Sequence, residues 1–238
     1  VIAKIERGTA LDNIHEIVEE ADVIMVARGD LGVEIGIQNV PKIQKMIIRE
    51  SNYHVKPVIV ATQMLESMIN SNTATRAEVS DVANAIYDHC DAVMLSGETA
   101  IGIDPVNAVK VMNDICIATD SHMEELKQIK YHSKVIFEEI TTAKSLCIAA
   151  DRIGLELEAQ CIMAFTTSGR TALISSKLNP KIPILAPTDK YSTFQRLSLI
   201  RGIIPLFFNN KKNGKKLLRW PDIINAAIEK AKAQGYLK

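Results

Sequence analysis

Four apolar runs early in the chain each end in residues that can bind an anion, hold a cation or carry a proton. Val1 to Glu6 closes on Lys4-Ile5-Glu6, and Val23 to Asp30 on Ala27-Arg28-Gly29-Asp30. Pro57 to Gln63 closes on Ala61-Thr62-Gln63, and Ala92 to Glu98 on Ser96-Gly97-Glu98. Glu6 and Asp30 are two hard carboxylate ligands, the donor set of a Mg²⁺ site that keeps room for water and substrate. Surface ion pairs with Lys4 or Arg28 are the simpler alternative. Lys4 stands two residues before Glu6, so strand alternation puts both on one face. An ammonium there meets either an anionic oxygen of a reacting group or a neighbouring carboxylate. Arg28, Gly29 and Asp30 follow a strand and open a helical turn, where glycine permits close approach and free N–H groups favour a carboxylate or phosphate. A turn with no ligand has the same sequence. Thr62 and Ser96 add hydroxyls suited to hydrogen bonding or proton relay, or to ordinary packing.

Such clusters need elements that bring strand ends together. Between the apolar runs lie amphipathic stretches. Leu11 to Val18 has apolar residues at helical spacing, Val40-Pro41 opens a helix through Arg49, and Thr75-Arg76-Ala77-Glu78 reads as a capped helix start. A further helix opens at Pro105-Val106 and reaches Asp120. The order is βαβαβαβα, which forces parallel strands with crossover helices. Reactive residues confined to the carboxyl ends of such strands are how a (β/α)₈ barrel presents its site. An eight-unit barrel takes about 250 residues, so four units make half of one.

The polar stretch from Met123 to Ser133 reads as a boundary. Beyond it a second α/β alternation follows: a helix over 142–152, strands near 161–165, 182–186 and 203–208, and a last helix over 221–233. Thr166-Thr167-Ser168-Gly169-Arg170-Thr171 lies between a strand and a helix. Its hydroxyls, glycine and arginine make either a phosphate cradle or an ordinary capped turn. Trp220 reads as a packing residue, and the histidines as surface or satisfied groups.

Lysine plus arginine equals aspartate plus glutamate at 28 each among 238 residues, so no net field draws the chain to nucleic acid or an anionic membrane. The one basic tract, Lys211 to Lys216, reads as a solvated loop. No apolar run is long enough to span a bilayer. The four cysteines are scattered, with no Cys-x-x-Cys pair, which suits a reducing, cytoplasmic compartment.

Together the clusters resemble pyruvate kinase. Ala3 to Glu6, Met25 to Gly32, Ala61 to Met68, Thr75 to Glu78, Asp81 to Ala85 and Met94 to Ala100 look like its signature segments in its order. Thr167 to Arg170 and Arg201-Gly202-Ile203 look like its C-terminal domain. The resemblance implies an α/β architecture: the last four units of a partial (β/α)₈ TIM barrel over 1–122, a helical connector over 123–140, and a truncated α/β regulatory domain over 141–238. It implies phosphoryl transfer from phosphoenolpyruvate to ADP, giving pyruvate and ATP in glycolysis. In that reading Lys4 stabilises the transferring phosphoryl group and enolate oxygen, and Glu6 and Asp30 hold Mg²⁺ or Mn²⁺. The backbone of Arg28, Gly29 and Asp30, with Thr62, binds the substrate carboxylate, and Thr62 and Ser96 lie on the proton route. Gln63 and Glu98 support the mouth, and Arg76 sits at a subunit interface of a homo-oligomer, a tetramer by resemblance. Thr166, Thr167, Ser168, Gly169, Arg170 and Thr171 hold an effector phosphate. K⁺ is expected, with ligands outside this chain.

The departures are Arg7 where the family usually has Asn, and Ala74 where Pro commonly precedes Thr-Arg-Ala-Glu. The family's N-terminal half, which carries most nucleotide contacts, has no counterpart here, so the chain alone is expected to be inactive. Two alternatives stand beside this reading. One is a non-catalytic module that binds phosphometabolites or drives oligomerisation. The other is a Mg²⁺-dependent enolpyruvate aldolase-type barrel enzyme, which would have no use for Thr75-Arg76-Ala77-Glu78 or the second module.

Overall fold

A computed structural model describes residues 1–129, 139–208, 211–212, 215–216 and 220–237. The chain divides into two units, residues 1–138 and 139–238.

The first unit runs β1 (Ile2–Ile5), α1 (Ile14–Glu20), β2 (Val23–Ala27), α2 (Arg28–Ile35), α3 (Val40–Tyr53), β3 (Val58–Ala61), α4 (Arg76–Tyr87), β4 (Ala92–Met94), α5 (Gly97–Ala100) and α6 (Pro105–Ile129). Its strands are all parallel and lie in chain order, β1-β2-β3-β4. The register pairs Ile5 with Val26, Val26 with Val60, and Val60 with Val93. That row faces the helices: Ile24, Val26, Val58 and Val60 are fully buried against Ile47, Ile48, Val82, Ala85 and Ala108. Burying branched side chains at about 25 cal/mol per Å² fixes the register, because a one-residue slip would turn the row outward. The opposite row, Lys4, Met25 and Ile59, carries the polar residues at its carboxyl end.

Local chemistry sets the helix starts. Pro41 sits in the first turn of α3, where its missing N–H costs nothing. Thr75 and Glu78 form a reciprocal capping box on α4. α6 continues past Asp120 and through the polar stretch from Met123 as far as Ile129, so the first part of the expected boundary is helix. Residues 130–133 of that stretch lie outside the described residues.

The second unit comprises α7 (Thr142–Glu156), β5 (Ile162–Met163), α8 (Arg170–Lys177), β6 (Ile184–Thr188), α9 (Tyr191–Leu197), β7 (Ile203–Phe207), β8 (Lys211–Lys212), β9 (Lys215–Lys216) and α10 (Trp220–Ala233). β5, β6 and β7 form a parallel sheet in that order. Its core gathers Ala164, Ala172, Ile184, Ala186, Leu197 and Ile203. Two features correct the sequence reading. α9 was not anticipated. The basic tract contains a strand pair rather than only loop: Lys211 pairs antiparallel with Lys216, and Lys212 with Lys215. The side chain of Trp220 lies outside the described residues. Among the described residues no helix is long and apolar enough to cross a membrane, and the four cysteines are free thiols.

Candidate active site

Parallel register places the expected residues of β1 to β4 at one end of the first sheet. Lys4 Nζ lies 2.5 Å from Glu6 Oε2 and 3.2 Å from Asp30 Oδ2. The Glu6 carboxylate first, and Asp30 after it, hold the Lys4 ammonium above its ordinary pKa of 10.5. Glu6 and Asp30 therefore converge on one point, as the metal reading requires. The ion-pair alternative is also realised, with Lys4 as the shared partner. Glu6 Oε2 is shut off from solvent and makes no aligned hydrogen bond, only the ion pair with Lys4. A buried carboxylate oxygen in that state is under-satisfied, and a hard divalent cation between Glu6 and Asp30 fits both carboxylates.

Arg28 does not join them. Its side chain is 8% exposed and turns away to grip the loop after β3. Nε and Nη2 donate to Thr62 O at 3.2 and 2.9 Å, and Nη2 also to Gln63 O at 3.0 Å. Nη1 donates to Gln44 Oε1 at 3.4 Å and pairs with Asp81 Oδ2 at 2.6 Å. The gripped loop is unusual, because Thr62 and Gln63 have φ of 69° and 53°. Left-handed backbone in a β-branched residue is an outlier that costs about 1–3 kcal/mol and marks sites where surrounding contacts dictate shape. Here the dictating group is the Arg28 guanidinium. Thr62 Oγ1 in turn accepts the Gly29 N–H at 2.9 Å. A Cβ on Gly29 would stand 3.3 Å from that oxygen, so glycine keeps the approach open. The Arg28 side chain thus belongs to the scaffold of the loop after β3. The partners Gln44 and Asp81 were not anticipated as site residues, although Asp81 opens one of the signature segments.

Glu98, fully buried, accepts Leu65 N–H at 3.0 Å and Ser96 N–H at 2.8 Å. It ties the end of β4 to the loop after β3. Gly102 packs so tightly against this turn that a Cβ would lie 2.2 Å from Glu98 O. Ser96 is exposed at the entry to α5. Arg76 is exposed at the first position of α4. Glu78 accepts from Ser67 N–H and Oγ–H, at 2.7 and 2.6 Å, and from Thr75 N–H and Oγ–H. Burial pushes its pKa up, but those hydrogen bonds outweigh it and hold the carboxyl below its ordinary value.

In the second unit the Thr166–Thr171 turn is closed on itself. Thr166 Oγ1 accepts Gly169 N–H at 2.8 Å, and Ser168 Oγ accepts Arg170 N–H at 3.5 Å. Gly169 is left-handed at φ 89° and leads into α8. Thr193 Oγ donates to Thr167 O and Arg196 Nη2 to Ser168 O, at 2.8 and 2.6 Å. Arg170 is exposed.

Comparison with known proteins gives the family. A family model described as pyruvate kinase, barrel domain, matches residues 1–109, and another described as pyruvate kinase, alpha/beta domain, matches residues 144–238. A pyruvate kinase of Thermotoga maritima is 47% identical over 206 residues, covering 87% of this chain and 43% of the relative. One of Staphylococcus saprophyticus is 43% identical over 235 residues, covering 99% and 39%. The crystal structure of a pyruvate kinase from Cryptosporidium parvum superposes with a TM-score of 0.90 at 36% identity, over 100% of this chain and 47% of that one. The chain spans less than half the length of the relatives it matches. With two models of one family matching successive parts of it, the chain belongs to the pyruvate kinase family.

Proposed function

We propose that these residues form the phosphoenolpyruvate and metal wall of a pyruvate kinase, an enzyme that moves the phosphoryl group of phosphoenolpyruvate to ADP. The observation that carries the reading is the convergence of Glu6 and Asp30 on Lys4 Nζ, beside a Gly29 amide set by Thr62. Glu6 and Asp30 would hold Mg²⁺ or Mn²⁺, which when bound neutralises and bridges anionic oxygens. Lys4 presents a permanent positive charge to the phosphoryl group in flight and to the enolate oxygen left behind. The backbone of Arg28, Gly29 and Asp30 and the hydroxyl of Thr62 orient the substrate carboxylate, which must exchange for Thr62 Oγ1 at the Gly29 N–H. Thr62 and Ser96 lie on the route of the proton that completes pyruvate. Little covalent chemistry is asked of the protein, since phosphoryl transfer is governed by positioning and charge stabilisation.

In this reading residues 1–122 are the later half of the barrel, 123–140 a helical connector and 141–238 a regulatory domain. Arg76 faces a subunit interface of a cytoplasmic homo-oligomer, a tetramer by family likeness. The Thr166–Thr171 turn with Arg170 takes an effector phosphate, which must displace the turn's own hydroxyl caps. K⁺ is bound by residues outside this chain.

The test uses the chain itself. It binds Mn²⁺ by electron paramagnetic titration, and Glu6→Gln or Asp30→Asn weakens binding at least tenfold. A coupled assay with phosphoenolpyruvate and ADP gives no pyruvate, because the chain covers under half of its relatives. Unchanged Mn²⁺ affinity in both variants would overturn the metal assignment, and pyruvate formation by the chain alone would overturn its inactivity. Calorimetric heat with a sugar phosphate but none with phosphoenolpyruvate and Mn²⁺ would favour a binding module instead.

A further inference from the structure

His15 on α1, and Glu50 and His54 at the end of α3, meet on the helical layer although 35 and 39 residues separate them from His15. Their facing atoms make a nearly equilateral triangle. His15 Nδ1 to Glu50 Oε1 is 2.9 Å, His54 Nε2 to Glu50 Oε1 is 3.1 Å, and His54 Nε2 to His15 Nδ1 is 3.1 Å. The His54 ring is almost enclosed, its side chain 2% exposed, whereas His15 is 54% exposed. The rings meet edge to face at 4.5 Å.

Hydrogen bonding alone satisfies such a triangle badly. Each of its three sides needs one hydrogen between the heavy atoms, yet an ionised carboxylate brings none and each ring nitrogen at most one. If both nitrogens carry hydrogen, two N–H groups oppose each other across 3.1 Å. If only one does, the bare nitrogen and the carboxylate oxygen set lone pairs against each other. A cation at the centre turns all three lone pairs into ligands at once. In a tetrahedral zinc site, ligand distances of about 2.0–2.2 Å put neighbouring donor atoms roughly 3.3 Å apart, so the triangle needs to open by only a few tenths of an ångström. Glu19 Oε1 lies 3.9 Å from His15 Nε2, the side of the ring where a carboxylate orients a metal-bound imidazole.

We propose that His15, Glu50 and His54 form a second metal site, taking a divalent transition ion of the zinc class with water as fourth ligand. Imidazole donors select zinc-class ions over the Mg²⁺ that suits the all-carboxylate pair at the strand ends. The site fastens α1 to α3 and stands apart from Lys4, Glu6 and Asp30 in donor chemistry.

Co²⁺ titration of the purified chain tests this by visible absorption. The expected result is the intense d–d bands of tetrahedral Co²⁺, abolished by one equivalent of Zn²⁺, together with a Zn²⁺-dependent rise in the thermal midpoint. His15→Gln, at an exposed position that leaves folding intact by circular dichroism, weakens Co²⁺ binding at least tenfold and removes the thermal rise. Glu50→Gln does the same. Glu6→Gln leaves the bands unchanged. Absence of tetrahedral bands, thiolate charge-transfer absorption that places the ion on cysteine, or wild-type affinity in His15→Gln would each overturn the proposal.

Discussion

Replacing Arg28 by methionine keeps most of the volume of a nearly buried side chain and removes every donor on it. Three hydrogen bonds from the guanidinium to the carbonyls of Thr62 and Gln63 disappear, and bonds to a charged group contribute about 1.5–3 kcal/mol each. The ion pair with Asp81 adds little, because that carboxylate is 41% exposed and such pairs are worth about 0–1 kcal/mol. Against the loss stands relief: once released, the two left-handed residues can relax, returning about 1–3 kcal/mol apiece. The net expectation is a loss of about 3–4 kcal/mol. Arg28→Lys recovers less than half of it, since one ammonium cannot span two carbonyls and a carboxylate. The measurement is urea unfolding of the chain followed by amide hydrogen exchange in β2 and β3, which reads the first unit separately from the second. A methionine variant within about 0.5 kcal/mol of the parent, the range of an uninvolved surface change, would refute the clamp, as would a lysine variant equal to the parent.

Glu98→Ala leaves the amides of Leu65 and Ser96 without their acceptor. At about 1–3 kcal/mol per unsatisfied donor, the cost is about 2–6 kcal/mol in the same assay, and a loss under 1 kcal/mol would contradict the assignment. Glu78 gives a pH signature. Its folded-state pKa lies below its ordinary 4.5, so its stabilisation is present above that pH and is lost as pH falls through the folded value. Glu78→Gln should therefore flatten the acid limb of the stability curve, and identical acid limbs in parent and variant would show that the carboxylate is not responsible.

The positions of the strand ends were legible because parallel strands buried against helices read as continuous apolar runs, and the change to polar residues marks where each one stops. The convergence of Glu6 and Asp30 followed from that alone. The conformation of Thr62 and Gln63 was not legible: nothing in threonine or glutamine favours a left-handed backbone, and the instruction comes from Arg28, 34 residues away. The side-chain destiny of Arg28 was hidden for the same reason, since Gln44 and Asp81 reach it only through packing of α3 and α4. For the basic tract, four lysines outweighed the turn signal of Asn213-Gly214 in the sequence, and the pairing of Lys211 with Lys216 was missed. His15 and His54 read as scattered because sequence distance conceals that α1 and α3 are neighbours, although Glu50 and His54 at a spacing of four share a helix face.

The Arg28 clamp also orders events in time. Its partners come from α3, from the loop after β3 and from α4, so it can close only when all three have docked on β2. Contacts of that sequence separation carry a loop-closure cost that is met late in folding. The Thr62–Gln63 peptide is therefore shaped at the end of assembly. A chain caught with α4 undocked keeps the Lys4–Glu6–Asp30 cluster but lacks the Asp81 arm of the clamp, so the shape of the Thr62–Gln63 loop becomes a readout of completed folding.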